Sequence, residues 1–163
     1  MKVVLQCAAT KDPNAGRMRT RDGRSVLFLA HPGEVEAAEG EVYAHPDDVS
    51  EDGRSWRERL LEYNRDTSSN PWGLLPASQL YRPRAYRQLA GHVPPEDLYI
   101  LSAGWGLIRG DFLTPDYDIT FSSSAESWKR RRSRDRFDDL KMLDVDAKDP
   151  LLFFGGKAYL KMF

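Results

Sequence analysis

Three short stretches of this chain carry the residue types that chemistry and anion binding require. They are Cys7-Ala8-Ala9-Thr10-Lys11, then Ser102-Ala103-Gly104-Trp105-Gly106-Leu107 with Asp116-Tyr117-Asp118 close behind, and finally Gly155-Gly156-Lys157. Small residues let a ligand approach the backbone closely, and unpaired N–H groups at a helix start attract anions. Thr10, Gly106, Gly155 and Gly156 would cradle a phosphate or carboxylate, Lys11 and Lys157 would supply charge, and Trp105 would offer a stacking surface. Asp116 and Asp118 around Tyr117 can supply a general base and a hydrogen bonder for a planar ligand, with Cys7 and Ser102 as further reactive groups. Each residue also has a structural role open to it: Gly104 and Gly106 as turn formers, Trp105 and Tyr117 as core, Cys7 as a small buried hydrophobe, Asp116 in a turn. What favours a site is that all three stretches follow apolar runs, because ligands of open α/β sheets bind beyond the carboxyl ends of the strands.

Two other patterns compete. Ala44-His45-Pro46-Asp47-Asp48 resembles the zinc motif of the LmbE-like deacetylases, in which His and Asp hold the metal and a second Asp is the base. That motif should leave a buried strand, whereas Glu39-Gly40-Glu41-Val42-Tyr43 precedes it here, and neither His31 nor His92 completes a ligand pattern. A polar turn is the expected state, and no metal or cofactor is called for; zinc-dependent deacetylation stays as a minor alternative. The basic run Lys129–Arg136 could track phosphates through Lys129, Arg130, Arg131, Arg132 and Arg134, or it could be a solvated helix face in which Asp135, Asp138 and Asp139 pair locally with Arg131, Arg134 and Arg136.

The elements that must position these residues follow from short apolar runs. Val3–Cys7, Leu98–Leu101 and Leu151–Phe154 read as buried strands lying side by side, and Ser25–Ala30 as an added edge strand. Helices are expected over Ser55–Asn64, Pro83–Gly91 and Ala125–Leu140, with Thr67–Pro76 as a surface loop carrying two apolar anchors. Strands separated by helices predict a layered α/β fold, αβα, with a small mainly parallel sheet. Lys157–Phe163 reads as an amphipathic helix opened by Gly155-Gly156 without a closing signal, as in a chain that continues. The length of 163 residues and 40% hydrophobic content suit one domain over 1–163. A net charge of −1 argues against a whole-surface nucleic-acid binder, a single cysteine points to a reducing cytoplasm, and no stretch is long and apolar enough for a membrane span.

Leu101-Ser102-Ala103-Gly104-Trp105-Gly106-Leu107 followed by Thr114-Pro115-Asp116-Tyr117-Asp118 resembles the "LSA-K-Y/H-GLL … P-YD" signature of a bacterial and phage domain family. That family is distantly similar to the peroxide-stress protein YaaA and to a domain of archaeosine synthase. The likeness extends to Cys7 and Lys11, to Ala77-Ser78-Gln79-Leu80-Tyr81, and to Phe153-Phe154-Gly155-Gly156-Lys157-Ala158-Tyr159, while residues 16–75 form an unmatched insertion. Gly104 stands where the signature carries Lys, and Trp105 is its aromatic. The resemblance implies a fold distantly like uracil-DNA glycosylase and recognition of a nucleotide, nucleobase or nucleic acid. It also implies chemistry on an N-glycosidic bond or modified base, in which one Asp stabilises charge at the sugar or orients water. The alternative is a non-catalytic DNA-binding stress or defence module that uses the arginine-rich segment.

Overall fold

The structure, a computed structural model, describes residues 1–144 and 148–162. In chain order the elements are strands β1 (Lys2–Gln6), β2 (Ser25–Phe28) and β3 (Glu41–Ala44), helix α1 (Trp56–Tyr63), strand β4 (Leu75–Pro76), helices α2 (Ala77–Leu80) and α3 (Arg84–Ala90), and strands β5 (Leu98–Ser102), β6 (Gly106–Arg109), β7 (Leu113–Thr114), β8 (Leu140–Lys141) and β9 (Leu151–Phe154). A five-stranded, mainly parallel sheet runs in the order β8-β6-β5-β1-β9.

The three apolar runs expected to pair do so. β1 lies between β5 and β9, parallel to both, with Val3 opposite Leu98 on one side and Leu152 on the other. Val3, Val4 and Leu5 are buried, as is all of β5, because each of these runs has apolar side chains for both faces of the sheet. β9 is an edge strand and keeps Leu151, Leu152 and Phe154 exposed.

Local signals also fix the helices of the first half. Ser55 caps α1 in a capping box with Glu58, and α1 buries Trp56, Arg57 and Leu60. Pro83 and Gly91 flank α3 as their chemistry predicts. Residues 16–75 are not peripheral: Met18, Val26, Phe28, Ala44, Trp56, Leu60 and Leu74 join the same hydrophobic cluster as β1 and β5. Both apolar anchors of the Thr67–Pro76 loop engage, Trp72 stacked on Tyr63 with centroids 4.6 Å apart and Leu74 in the core.

Three expectations are corrected. Ala125–Leu140 forms no helix but a series of turns, with Thr120 bridged to Arg130. Its side chains offer the backbone other partners: the Asp135 carboxylate accepts the Arg132 N–H, and Arg131 is drawn inward. Instead of a helical crossover, the chain leaving β5 turns back as β6, antiparallel to it. Ser25–Ala30 yields only β2, which pairs in parallel with β3 in a separate two-stranded sheet and so is no edge of the main one. Lys157–Phe163 contains a short 3-10 turn over Tyr159–Met162, and Phe163 lies outside the described residues. No helix among the described residues is long and apolar enough to cross a membrane.

Candidate functional site at the carboxyl ends of the strands

The parallel pairing of β1, β5 and β9 brings their exits to one edge of the sheet. Cys7 leaves β1 and donates its backbone N–H to Leu101 O. Its sulfur accepts from Ala103 N at 3.3 Å and lies 3.3 Å from the Tyr159 hydroxyl, so the thiol is enclosed between the exits of β5 and β9.

The turn after β5 is saturated from both sides. Ser102 Oγ accepts from Gly104 N and Trp105 N at 3.3 and 3.1 Å and donates to the Tyr117 hydroxyl at 2.8 Å, which pairs in turn with Tyr81 at 2.8 Å. Burial raises the pKa of both tyrosines well above the ordinary value, so this relay is neutral. The carbonyls face the other way. Arg131 donates to Ala103 O at 3.1 Å, while Arg57 donates to Gly104 O at 3.1 Å and to Trp105 O at 3.0 Å. Each guanidinium is itself held by a carboxylate, Arg57 by Asp47 and Arg131 by Asp139. Two fork-shaped donors thus fix three successive carbonyls, which a point-charged lysine could not reproduce.

This corrects the expected roles of several residues. Trp105 is fully buried, edge-on to Phe28 at 4.9 Å and Tyr117 at 6.4 Å, and cannot offer a stacking face to a ligand. Ser102 and Tyr117 are likewise core, and the N–H groups of Ala103, Gly104 and Trp105 already have acceptors, leaving none of the three for an anion. Gly106 is required by the fold: its φ of +92° is left-handed, and a Cβ there would lie 2.6 Å from the Leu140 backbone. At Gly104 a Cβ would press on the Tyr117 ring at 3.1 Å.

Asp116 and Asp118 flank Tyr117 but face other cations. Arg17 binds Asp116 at 3.2 Å and Glu41 at 2.6 Å, and Lys129 binds Asp118 at 3.0 Å and Glu126 at 3.2 Å. Between them Lys11, half-buried, lays its ammonium over the Tyr117 ring, 4.2 Å from the centroid. Its hydrogen-bond partner among the described residues is Ala9 O at 3.4 Å. Desolvation lowers the Lys11 pKa, against the pull of Cys7, Asp116 and Asp118.

The basic run is partly neutralised. Lys129 and Arg131 are paired as above, Arg132 binds Glu34 at 3.0 Å, and Arg130 donates to Ser123 O. Arg134 and Arg136 are exposed and, like Arg130, have no carboxylate partner among the described residues. Further cations of this kind lie outside the run. Arg82, whose N–H binds Thr10 O, and Arg84 and Arg87 of α3 are exposed and have no carboxylate partner among the described residues, as is Lys157. Sequence reasoning passed over these arginines because they are scattered, and it passed over Arg57, whose one signal is its place between Trp56 and Leu60 on the buried face of α1.

Between α3 and the exits of β1 and β9 opens a cleft of about 310 Å³, lined by Gln6, Tyr86, Leu89, Phe154, Gly155 and Gly156. The Gln6 side chain accepts the Gly156 N–H at 2.5 Å, and Tyr86 donates to Gln6 O. Gly155, Gly156 and Lys157 are exposed at its mouth. A wider groove of about 860 Å³ lies at the opposite end of β5, beside Arg109 and Phe112.

The residues of the zinc-like motif have other partners. Asp47 holds Arg57 and accepts the Asp138 N–H, Asp48 accepts the His45 N–H, and the His45 ring packs on Phe137 at 4.2 Å. Among the described residues no three His, Cys, Asp or Glu side chains converge as a metal would need. No protein-family model matches the chain, and no curated protein or solved structure matches it.

Proposed function

We propose that this protein recognises a phosphate-bearing ligand, a nucleotide or a nucleic acid strand, at the carboxyl edge of β1 and β9. The observation that carries the reading is the contrast in ion pairing: Lys11, Arg82, Arg84, Arg87 and Lys157 have no carboxylate partner among the described residues, whereas Lys129, Arg131 and Arg132 do. Unpaired cations release counterions when a phosphate arrives; paired ones must first give up a protein partner. The apolar cleft beside Tyr86 and Phe154 would seat a planar base, with exposed Arg84 and Lys157 each next in sequence to a residue of its lining. Recognition is favoured over N-glycosidic chemistry at Cys7, Ser102 or Asp118, because the first two are enclosed and the third is held by Lys129. The three-layer, uracil-DNA-glycosylase-like outline and the YaaA-like kinship belong to this proposal and are consistent with the mainly parallel sheet.

Fluorescence anisotropy with labelled single-stranded and duplex oligonucleotides at several salt concentrations tests it. Replacing Arg82, Arg84 and Arg87 by Ala should weaken binding and flatten the salt dependence by about 0.7–0.9 in log–log slope for each phosphate that is no longer neutralised. The double replacement of Lys129 and Arg132, both already paired with carboxylates, should change it little. Equal losses from the two sets of replacements, or no binding by the wild type, would refute the reading.

A further inference from the structure

We infer that Lys11 is a carbonyl-reactive nucleophile that forms a Schiff base with the open-chain aldehyde of a phosphorylated pentose. The proposal rests on the phosphate-recognition reading above for its ligand class, but its reactive group is argued separately.

An amine reacts with a carbonyl through its lone pair, so it must not be locked as an ion pair, and it must be reachable. Lys11 meets both conditions. The nearby carboxylates have other partners: Asp116 binds Arg17 at 3.2 Å, Asp118 binds Lys129 at 3.0 Å, and Asp12, next in sequence, accepts the Asn14 N–H at 2.8 Å. No carboxylate lies within ion-pair distance of Lys11 among the described residues, and its contacts are a ring face at 4.2 Å and a single carbonyl at 3.4 Å. Tyr117 cannot move away, because Ser102 and Tyr81 hold its hydroxyl at 2.8 Å on each side. The amine therefore stands at a fixed position on a rigid aromatic floor. Ala9 and Thr10, immediately before it, are exposed and leave an approach from solvent. Desolvation adds to this by favouring the neutral amine.

In the reaction the lone pair of the neutral Nζ attacks the aldehyde carbon, the carbonyl π electrons move to oxygen, and a proton passes from nitrogen to that oxygen to give a carbinolamine. The hydroxyl takes a second proton from solvent and leaves as water while the nitrogen lone pair forms the C=N bond, which gives an iminium ion. No oxidant or reductant takes part. The positive charge of the iminium comes to rest over the Tyr117 ring, where the ammonium stood, with the carboxylates of Asp116 and Asp118 on either side of that tyrosine in sequence. An aldehyde on a phosphorylated pentose fits this neighbourhood because Arg82, whose backbone N–H binds Thr10 O beside Lys11 in sequence, is exposed and has no carboxylate partner among the described residues. Such an aldehyde occurs at a base-free position of a DNA strand and in free ribose 5-phosphate.

The full chain, incubated with cyanoborohydride and either an oligonucleotide carrying one base-free site or ribose 5-phosphate, is read by intact mass and peptide mapping. One reduced adduct per chain, on Lys11, is expected, and the arm that gives it identifies the source of the aldehyde. Lys11→Arg, which keeps the charge but cannot form an imine, should lower the yield by about tenfold or more. No adduct in either arm, or an adduct spread over exposed lysines such as Lys148 and Lys157 and unchanged in Lys11→Arg, overturns the inference. Anisotropy with an oligonucleotide carrying a tetrahydrofuran in place of the aldehyde sugar separates the two claims. Binding there without any adduct defeats the Schiff base alone, and a Lys11 adduct with ribose 5-phosphate without such binding defeats nucleic-acid recognition alone.

Discussion

Replacing Arg57 by Met tests whether the turn after β5 is held in the way its geometry states. The methionine keeps much of the apolar stem of the side chain and removes the guanidinium. In the native protein that guanidinium is 4% exposed, binds a carboxylate that is 19% exposed, and donates to two backbone carbonyls at 3.0–3.1 Å. Without it, Asp47 loses its buried partner and Gly104 O its donor, while Trp105 O keeps only the Leu140 N–H at 2.9 Å. Breaking a buried pair from one side costs about 3–5 kcal/mol, and because the pair and the carbonyls share one group their losses do not simply add. At about 2–4 °C per kcal/mol for a chain of this size, the melting temperature should fall by roughly 6–20 °C. Guanidinium chloride unfolding followed by tryptophan emission measures the change. Its pH dependence is fixed in sign. Burial alone would raise the Asp47 carboxyl, but the hydrogen bonds from Arg57 and Asp138 outweigh it and hold the pKa below the ordinary 3.8. A carboxyl depressed by folding contributes fully above its unfolded value and loses that contribution as pH falls through the folded one. The gap between wild type and Arg57→Met should thus stay constant near neutrality and close only below about pH 4. Adding Asp47→Asn should recover part of the loss, since it removes the stranded charge. A cost under about 1 kcal/mol for Arg57→Met would mean that the guanidinium does not hold the turn.

Lys11→Met should stabilise the protein at neutral pH, as seen by a higher melting temperature, because a lysine whose pKa folding lowers is charged at a cost there; the charged and titratable groups in play around it are Cys7, Asp116, Asp118 and Lys129. That gain should shrink as pH rises from the lowered folded value towards the unfolded 10.5, the window in which the unfolded chain holds the extra proton. Ser102→Ala should cost about 1–3 kcal/mol in denaturant unfolding, since it strands the N–H groups of Gly104 and Trp105 in the core while removing little volume. A neutral result would show that these donors find other acceptors.

Strands β1, β5 and β9 were legible as neighbours because each apolar run is short and bounded by polar or turn-forming residues, whereas their order, with β1 in the middle, was not. Ala125–Leu140 misled for a physical reason. Its charges have the spacing of a helix, but Arg131 is required at Ala103 O and on the Phe137 ring, 3.9 Å from the centroid, which pulls the segment out of any regular path. β6 and β8 left no readable signal, one being four residues and the other two. At the strand exits, the stretches singled out from the sequence do come together, but several of their side chains are buried in the core. Trp105, Tyr117 and Ser102 have the composition of a binding surface, and only the partners supplied by Arg57, Phe28 and Tyr81 make them core. Such long-range pairs have no periodicity to read.

Arg57 and Arg131 reach the same tripeptide from 47 and 28 positions away along the chain. A junction of that kind depends on segments that are distant along the chain, and its contacts form only once the intervening loops are closed. The contour of the strand exits is accordingly a property of the assembled whole. An excised fragment that kept the central strands but lacked the stretch around Asp47 and Arg57 would retain the ladder and forfeit the shape at its end.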